Sequence, residues 1–296
     1  MKKTEKLQDM ELVMGESFWR KALIRFSHHK LACVGLVILL LIVGGSIFYP
    51  MFNQKIAFDL NFLEIGQKPS AKHLLGTDDL GRDVLMRILL GGRVSLSVGF
   101  ISVLFSTCIG IILGGLAGYF GGKTDMLVMR FTDTVMCFPF LIIAMLLVVI
   151  LGQSLWNSMI AIALLNWTST ARITRGEFLY LRERQFIEAD RSLGISDRKI
   201  LFNHILPNAL SPIIVNATFN IANAIMTEAS LSFLGLGVAL PTPSWGNILQ
   251  DSSSLYKLKA MPWIWIPAGS MIALTVLSIN FIGDGLRDAL DPKMNL

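Results

Sequence analysis

The chain has 296 residues, of which 53% are hydrophobic and only 16% are charged, and its mean hydropathy is +0.59. A water-soluble domain of this size carries close to a quarter charged residues, so the composition excludes one and favours a membrane protein. The net charge of +5 would suit a nucleic-acid partner, but basic loops on one side of a membrane produce the same excess.

Six runs without charged residues are long enough to cross about 30 Å of hydrocarbon as helices. One of them, 134–171, is divided at Gly152 into two spans, and another, 229–250, is not a span. We therefore predict an all-α integral membrane protein with spans at 31–52, 94–120, 130–151, 155–174, 208–234 and 263–285. The run at 229–250 is assigned to a loop, because its glycines and prolines leave backbone groups that lipid cannot satisfy. Three cysteines fall in apolar stretches and are predicted to be packing residues with free thiols: Cys33, Cys108 and Cys137.

The predicted spans divide the chain into four parts. Residues 1–30 form an N-terminal tail, in which 17–26 has the pattern of an interfacial helix, and 31–92 contain the first span and a loop. Residues 93–288 form the transmembrane core, and 289–296 form a C-terminal tail.

Basic residues predict the orientation of these spans. They concentrate in the first 30 residues and between the fourth and fifth spans, at Arg172, Arg175, Arg182, Arg184, Arg191, Arg198 and Lys199. By the positive-inside rule both regions and both termini are cytoplasmic. The loops at 55–93 and 236–262 then lie outside, and the nucleic-acid interpretation loses its support.

Small residues recur along one face of the second span, at Ser95, Gly99, Ser102, Ser106, Gly110, Gly114, Gly118 and Gly122. Such faces let helices approach closely in lipid. We expect packing within this chain, with a seam that slides against another subunit as the alternative. The segment 117–124 (AGYFGGKT) resembles a phosphate-binding loop, but it follows an apolar span instead of a buried strand, so nucleotide binding is not expected there.

Two acidic residues within or beside the spans are functional candidates. We expect Asp133 to pair locally with Arg130 or to lie at the interface. Glu228 lies near the outer end of the fifth span, where we expect it to reach water or a polar lining.

The polar, Arg-rich segment 172–207, called here the elbow segment, is predicted to contain two short helices joined by a glycine turn. Gly194 suits the end of the first helix and Ser196 the N-cap of the second. Such an exposed elbow can fit a cleft on a partner protein and transmit the partner's movement to the spans that the elbow connects. The ordinary alternative is a solvated loop without a partner.

Within the elbow segment, Glu188-Ala189, Gly194 and Leu206-Pro207 resemble the EAA loop of bacterial ABC-importer permeases. Asp190 and His204 depart from the usual pattern, in which Ala and often Ile stand at these positions. The resemblance implies that the ATPase-coupling residues are Glu188, Ala189, Asp190, Gly194, Leu206 and Pro207.

Further stretches are similar to the C-type permeases of the dipeptide, oligopeptide and nickel group. They are 73–84 (HLLGTDDLGRDV), 92–96 (GRVSL), 228–237 (EASLSFLGLG) and 243–246 (PSWG). The resemblance implies a type I ABC importer permease fold in a bacterial cytoplasmic membrane. It also implies a B-type permease, two cytoplasmic ATPases and an extracytoplasmic binding protein as partners, with ATP bound by the ATPases and no cofactor or chemistry in this chain.

The expected function is to form half of a translocation pathway for short peptides, with the outer loops 55–93 and 236–262 as candidate docking surfaces for the binding protein. Nickel or another peptide-like solute is the alternative cargo. Two other classes stay open: a stand-alone secondary carrier, which would need an ion site, and an intramembrane enzyme. The four histidines lie outside the predicted spans, which disfavours the enzyme.

Overall fold

The computed structural model describes residues 18–53 and 57–290. In this part of the chain the regular elements are helices, joined by turns and irregular segments, and one isolated β-bridge pairs Thr77 with Asp83. The helices are α1 (Phe18–His28), α2 (Lys30–Asn53), α3 (Val84–Phe120), α4 (Gly122–Met136), α5 (Phe140–Leu151), α6 (Leu155–Arg182), α7 (Gln185–Ser192), α8 (Asp197–Phe233), α9 (Trp245–Asp251), α10 (Leu255–Ala260) and α11 (Pro262–Leu290). The interfacial pattern at 17–26 matches α1, while residues 1–17 lie outside the described part.

The membrane-spanning helices agree in part with the six predicted spans. Among the described residues, four helices (α2, α3, α8 and α11) are long and apolar enough to cross a membrane, and α4 with α5 makes a fifth span if the bent pair is counted as one. Helix α6 has 28 residues, about 42 Å at 1.5 Å per residue, but its composition is too polar for the same test.

The predicted third span, 130–151, is wrong as a single straight helix. Its axis bends by 87° between α4 and α5, at Pro139, the N-cap of α5. Proline has no N–H to donate and disfavours helical backbone at the preceding residue, Phe138. Helix α4 accordingly ends just before it, at Met136.

Helices α3, α6 and α8 extend beyond their predicted ends. Helix α3 begins at Val84 instead of residue 94, because the Asp83 carboxylate accepts the Met86 N–H at 2.8 Å and caps the helix. Helix α6 runs to Arg182 and α8 starts at Asp197. Both ends of the elbow segment are therefore parts of long helices.

The small-residue face of α3 is used within this chain, as expected, and the alternative of a sliding seam with another subunit is wrong. A Cβ on Gly114 would lie 2.3 Å from the Ala171 carbonyl oxygen of α6, and one on Gly118 would lie 2.7 Å from that of Arg175. Gly122 contributes no contact, since nothing lies within 4 Å of its position. The α3–α6 pair makes the most extensive contact between two helices in the described structure.

The end of the bundle nearest Val84 carries a folded cap, formed by residues 57–83 and 235–260. The prediction that 236–262 is a connection and not a span agrees with the structure, in which no candidate span lies between Phe233 and Pro262. The short helices α9 and α10 within it were not predicted. Ser244 and Asn247 form a capping box at the start of α9, and Trp245 is fully buried, with its indole N–H donating to the Ile88 carbonyl at 3.0 Å. The backbone polar groups of this stretch are thus satisfied inside the protein.

The remaining predictions concern α1 and the cysteines. Ala22 and Phe26 of α1 pack against Ala289 and Leu290 at the end of α11, so part of the face expected to contact lipid is used within the protein. The cysteines are free, but Cys108 and Cys137 are exposed and do not pack inside the chain as predicted.

Candidate coupling site

The elbow turns at Gly194, which has a φ of +75°. The Ile195 N–H donates to the Asp190 carbonyl at 3.1 Å and the Gly194 N–H to the Arg191 carbonyl at 3.0 Å. This pair of bonds is the Schellman ending of α7, which requires the left-handed conformation that glycine adopts without cost. The predicted helix stop is confirmed.

The second limb of the elbow differs from the prediction. Ser196 occupies the N-cap position with extended backbone, but its side chain makes no capping bond. The helix that follows is the start of α8, a 37-residue helix, and not a separate short helix. A π-helical turn at Ile200–Ile205 precedes Leu206 and Pro207, so the limb continues directly into the fifth predicted span.

The six predicted coupling residues lie on both limbs of the elbow. Glu188, Ala189, Gly194 and Pro207 are exposed, whereas Asp190 and Leu206 are partly buried. They do not converge on a pocket. They form part of an exposed surface, as docking to a partner requires.

Three exposed apolar side chains on this surface were missed by the sequence analysis. Phe186 is 43% exposed, Leu193 78% and Phe202 56%. Large apolar residues next to exposed charges are typical of protein interfaces. They could have been predicted from the sequence, because they are large apolar residues inside an Arg-rich segment.

A hydrophobic cluster joins the elbow to the long helices. It contains Tyr119 of α3, Phe178 and Leu181 of α6, Ile187 of α7, and Ile200, Ile205, Ala209 and Ile213 of α8. Ile187, Ile200 and Ile205 are fully buried. Because protein interiors are closely packed, a displacement of α7 has to be followed by the helices that hold Ile187.

Polar contacts add to this connection. The Tyr119 hydroxyl donates to the Asp197 carboxylate at the start of α8. Arg182 donates to the Tyr119 carbonyl at 3.0 Å, and the Arg191 guanidinium lies 5.7 Å from the centre of the Tyr119 ring. The end of α3 is thereby tied to α6, α7 and α8.

Asp190 and His204, the two positions at which the sequence was expected to depart from the EAA pattern, face each other across the elbow. The His204 Nδ1 lies 3.2 Å from the Asp190 Oδ2, and the Asp190 side chain is 15% exposed. The two atoms are within ion-pair distance, but Asp190 Oδ2 is buried and accepts no hydrogen bond from the described residues. The contact brings α7 against the π turn of α8.

The predictions for the two acidic residues of the spans agree with the structure in part: Asp133 has a different arginine as its partner, and Glu228 has polar partners but no contact with water. Asp133 pairs with Arg172 of α6 at 2.6 Å instead of Arg130. Glu228 is fully buried and does not reach water. Its carboxylate accepts hydrogen bonds from Ser95 and Ser232, each at 2.7 Å. Since Ser95 also accepts the Trp245 N–H at 3.2 Å, this network ties α3, α8 and the cap together.

Ion pairs hold the two segments of the cap to each other. Asp78 pairs with Arg82 at 2.7 Å, and the buried Arg87 lies 3.4 Å from Asp78 and 3.6 Å from Asp251 of α9. Burial raises the pKa of Asp251, against the opposing pull of Arg87 and Arg82. Beside this network lies a groove of about 410 Å³, lined by Phe58, Leu60, Asp79, Leu80, Arg82, Leu240, Pro241 and Asp251.

Comparison with known proteins identifies the family of the chain. Residues 110–296 match the binding-protein-dependent transport system inner membrane component, and residues 17–69 match the N-terminal TM domain of oligopeptide transport permease C.

Two curated relatives cover nearly the whole chain. The oligopeptide transport system permease protein OppC of Bacillus subtilis (strain 168) is 42% identical over 94% of this chain and 90% of its own length. The dipeptide transport system permease protein DppC of Alkalihalophilus pseudofirmus is 45% identical over 93% and 90%.

A solved structure has the same fold. A chain of the inward-facing MetNI methionine ABC transporter superposes with a TM-score of 0.58 at 20% identity, covering 69% of this chain and 96% of that one. The protein is thus a multi-pass, all-α membrane permease with the ABC importer permease fold, and it belongs to the inner membrane component family of binding-protein-dependent transport systems.

Proposed function

We propose that this chain is one permease subunit of an ATP-driven importer of short peptides. It forms half of the translocation pathway, together with a B-type permease. Two cytoplasmic ATPases bind and hydrolyse ATP, and an extracytoplasmic binding protein delivers the cargo to the cap.

The observation that carries this proposal is the construction of the elbow segment. It exposes Phe186, Leu193 and Phe202 for docking, while Ile187 on the opposite face is fixed in the cluster that holds α3, α6 and α8. Closure of an ATPase pair under α7 would therefore move three long helices together. A solvated loop has no need of such an anchor.

Charge supports the orientation. The elbow segment carries Arg172, Arg175, Arg182, Arg184, Arg191, Arg198 and Lys199. By the positive-inside rule we place it and both termini in the cytoplasm of a bacterial cell. The cap, at the other end of α3, is then extracytoplasmic, where a binding protein can reach it.

The relatives support peptides as cargo. The OppC and DppC proteins are named for oligopeptide and dipeptide transport, and each is similar over at least 93% of this chain. Nickel chelates and other peptide-like solutes are the alternative that transport assays with competing cargo would separate.

Purification of the chain from its native membrane in mild detergent tests the proposal. We expect recovery of a second permease and of one or two ATPases with phosphate-binding loops, in fixed stoichiometry. Reproducible recovery of the folded chain alone would contradict the proposal and favour a self-sufficient carrier.

A further inference from the structure

One face of the membrane-spanning part of α8 carries a line of polar side chains. Asn216, Asn220, Asn223, Thr227 and Ser230 follow one another at alternating steps of four and three residues. At about 100° per residue they fall within an arc of about 80°, and they extend over about 21 Å of the roughly 30 Å hydrocarbon thickness. We call this set the polar stripe.

The half of the polar stripe nearer the elbow is bonded to α6. The Asn216 side-chain oxygen accepts from the Thr170 hydroxyl at 3.1 Å and from the Asn220 amide at 3.0 Å. The Asn220 amide also lies 3.4 Å from the Ser169 hydroxyl. Asn166 stands one turn further along α6, and its side-chain nitrogen is buried with no hydrogen-bond partner among the described residues.

The half nearer the cap is open. Asn223 is exposed, and its side-chain amide has no hydrogen-bond partner within residues 18–53 and 57–290. Thr227 and Ser230 each donate to the carbonyl one turn back, at 2.8 Å, which leaves their oxygen lone pairs free to accept. An amide in hydrocarbon loses its hydrogen bonds with water, so this face does not suit a lipid environment.

We infer that the open half of the polar stripe, Asn223, Thr227 and Ser230, lines the translocation passage and hydrogen-bonds the peptide groups of the cargo. The inference rests on the proposed function. An asparagine amide donates and accepts at once, which matches the N–H and C=O of a peptide group.

Two features favour the passage over a contact with the second permease. Small and polar residues such as Thr227 and Ser230 also occur at helix contacts in membranes, but Met226, beside Asn223 on this face, is large and 51% exposed, which opposes the close approach of a second helix. Methionine is flexible and adapts to varied partners. The open half of the stripe also contains no charged residue, so it would accept peptides without regard to the charge of their side chains.

Cysteine labelling of the assembled transporter tests the environment of the stripe. The native cysteines are replaced (Cys33→Ser, Cys108→Ala, Cys137→Ala), and Asn223→Cys is treated with a membrane-impermeant maleimide. We expect labelling that slows several-fold when the binding protein delivers tri-alanine. Leu104→Cys on α3, whose native side chain is 63% exposed, is the control and should stay unlabelled. Absence of labelling at position 223 in the assembled transporter would mean that the second permease covers it, and would overturn the inference.

Transport of tri-alanine provides a second measurement. Asn223→Leu keeps a similar volume without the amide, and we expect it to lower the uptake rate about tenfold, as for the loss of one or two hydrogen bonds. Asn223→Gln should retain most of the rate, and both variants should copurify with the partner subunits. Wild-type rates for Asn223→Leu would contradict this inference alone, whereas no tri-alanine uptake by the wild-type transporter would contradict the proposed function as well.

Discussion

At the scale of single residues, the contact between Asp190 and His204 joins the two limbs of the elbow. The carboxylate is largely enclosed, with 15% of the Asp190 side chain exposed, and the imidazole is 34% exposed. Removing one partner leaves a polar group without its neighbour in a poorly hydrated position, which costs more than removing both. We therefore expect Asp190 and His204 to stabilise the elbow only when both are present.

We expect Asp190→Ala and His204→Ile each to lower peptide uptake and to destabilise the purified transporter by about 1–2 kcal/mol. The double variant, which leaves neither partner without the other, should be less impaired than the sum of the two. A double-mutant cycle on the thermal unfolding temperature and on uptake measures the coupling. Strictly additive effects would show that the two residues act independently.

Some features of these residues could be predicted from the sequence, and others could not. Gly194 was predictable because a Schellman ending demands a positive φ that other residues avoid. The pairing of Asp190 with His204 was not, since it depends on how the π turn at Ile200–Ile205 rotates His204 toward α7. The burial of Glu228 was missed for a similar reason, because its partner Ser95 lies on another helix.

At the scale of secondary structure, the elbow between α7 and α8 depends on one backbone conformation. No atom lies within 4 Å of a Cβ built on Gly194, so a side chain there meets no steric barrier and only the positive φ opposes it. An L-residue in this region loses roughly 1–2 kcal/mol, and asparagine tolerates it best.

We therefore expect Gly194→Val to abolish uptake while leaving membrane insertion intact, and Gly194→Asn to retain most of the activity. Insertion is measured by membrane fractionation and transport by tri-alanine uptake. Gly176→Val, which also adds a side chain to open space, controls for bulk alone. Undiminished transport by the Gly194→Val variant would count against a coupling role for the elbow.

The positions of the helices were more predictable than their ends. Apolar length located α2, α3, α8 and α11, and the spacing of Gly110, Gly114 and Gly118 predicted a close helix contact. The bend at Pro139 was missed because the apolar run continues through it, from Val135 to Leu151. The start of α3 was placed ten residues late because Arg87 and Arg93 interrupt the apolar run, although the structure accommodates Arg87 among carboxylates.

At the scale of the whole molecule, Arg87 contacts both segments of the cap, which are far apart in the sequence. Its side chain is 3% exposed and lies between Asp78 of the first cap segment and Asp251 of the second. Removing one partner from a buried charge cluster is costly, about 3–5 kcal/mol, because the opposite charges stay buried.

We expect Arg87→Met to loosen both cap segments at once. Amide hydrogen exchange should rise in 57–83 and in 245–260 together, and the binding protein should dock more weakly. Arg93→Met is the matched control, because among the described residues Arg93 donates to the Ile47 carbonyl alone, at an exposed position. An increase confined to one segment would contradict the role of Arg87 as their common tie.

The overall architecture followed from hydropathy and from the family resemblance, while the cap did not. Its proline- and glycine-rich sequence predicts a loop, and only the burial of Trp245 and the capping box at Ser244 reveal that it belongs to the folded core. Such contacts join residues about 150 positions apart, as Ser95 and Trp245 show, and single-segment patterns do not contain them.

Helix α3 connects the two ends of the molecule without a break. Its 37 residues contain no proline and extend about 55 Å, far beyond the hydrocarbon thickness. One end is anchored in the cap through Arg87, and the other meets the elbow through Tyr119. A stiff rod pivoting by about 10° at its midpoint moves both ends by roughly 5 Å in opposite directions. If the ATPases dock at the elbow as proposed, a single helix of this length would act as a lever, in which an inward movement at the elbow end is an outward movement at the cap end.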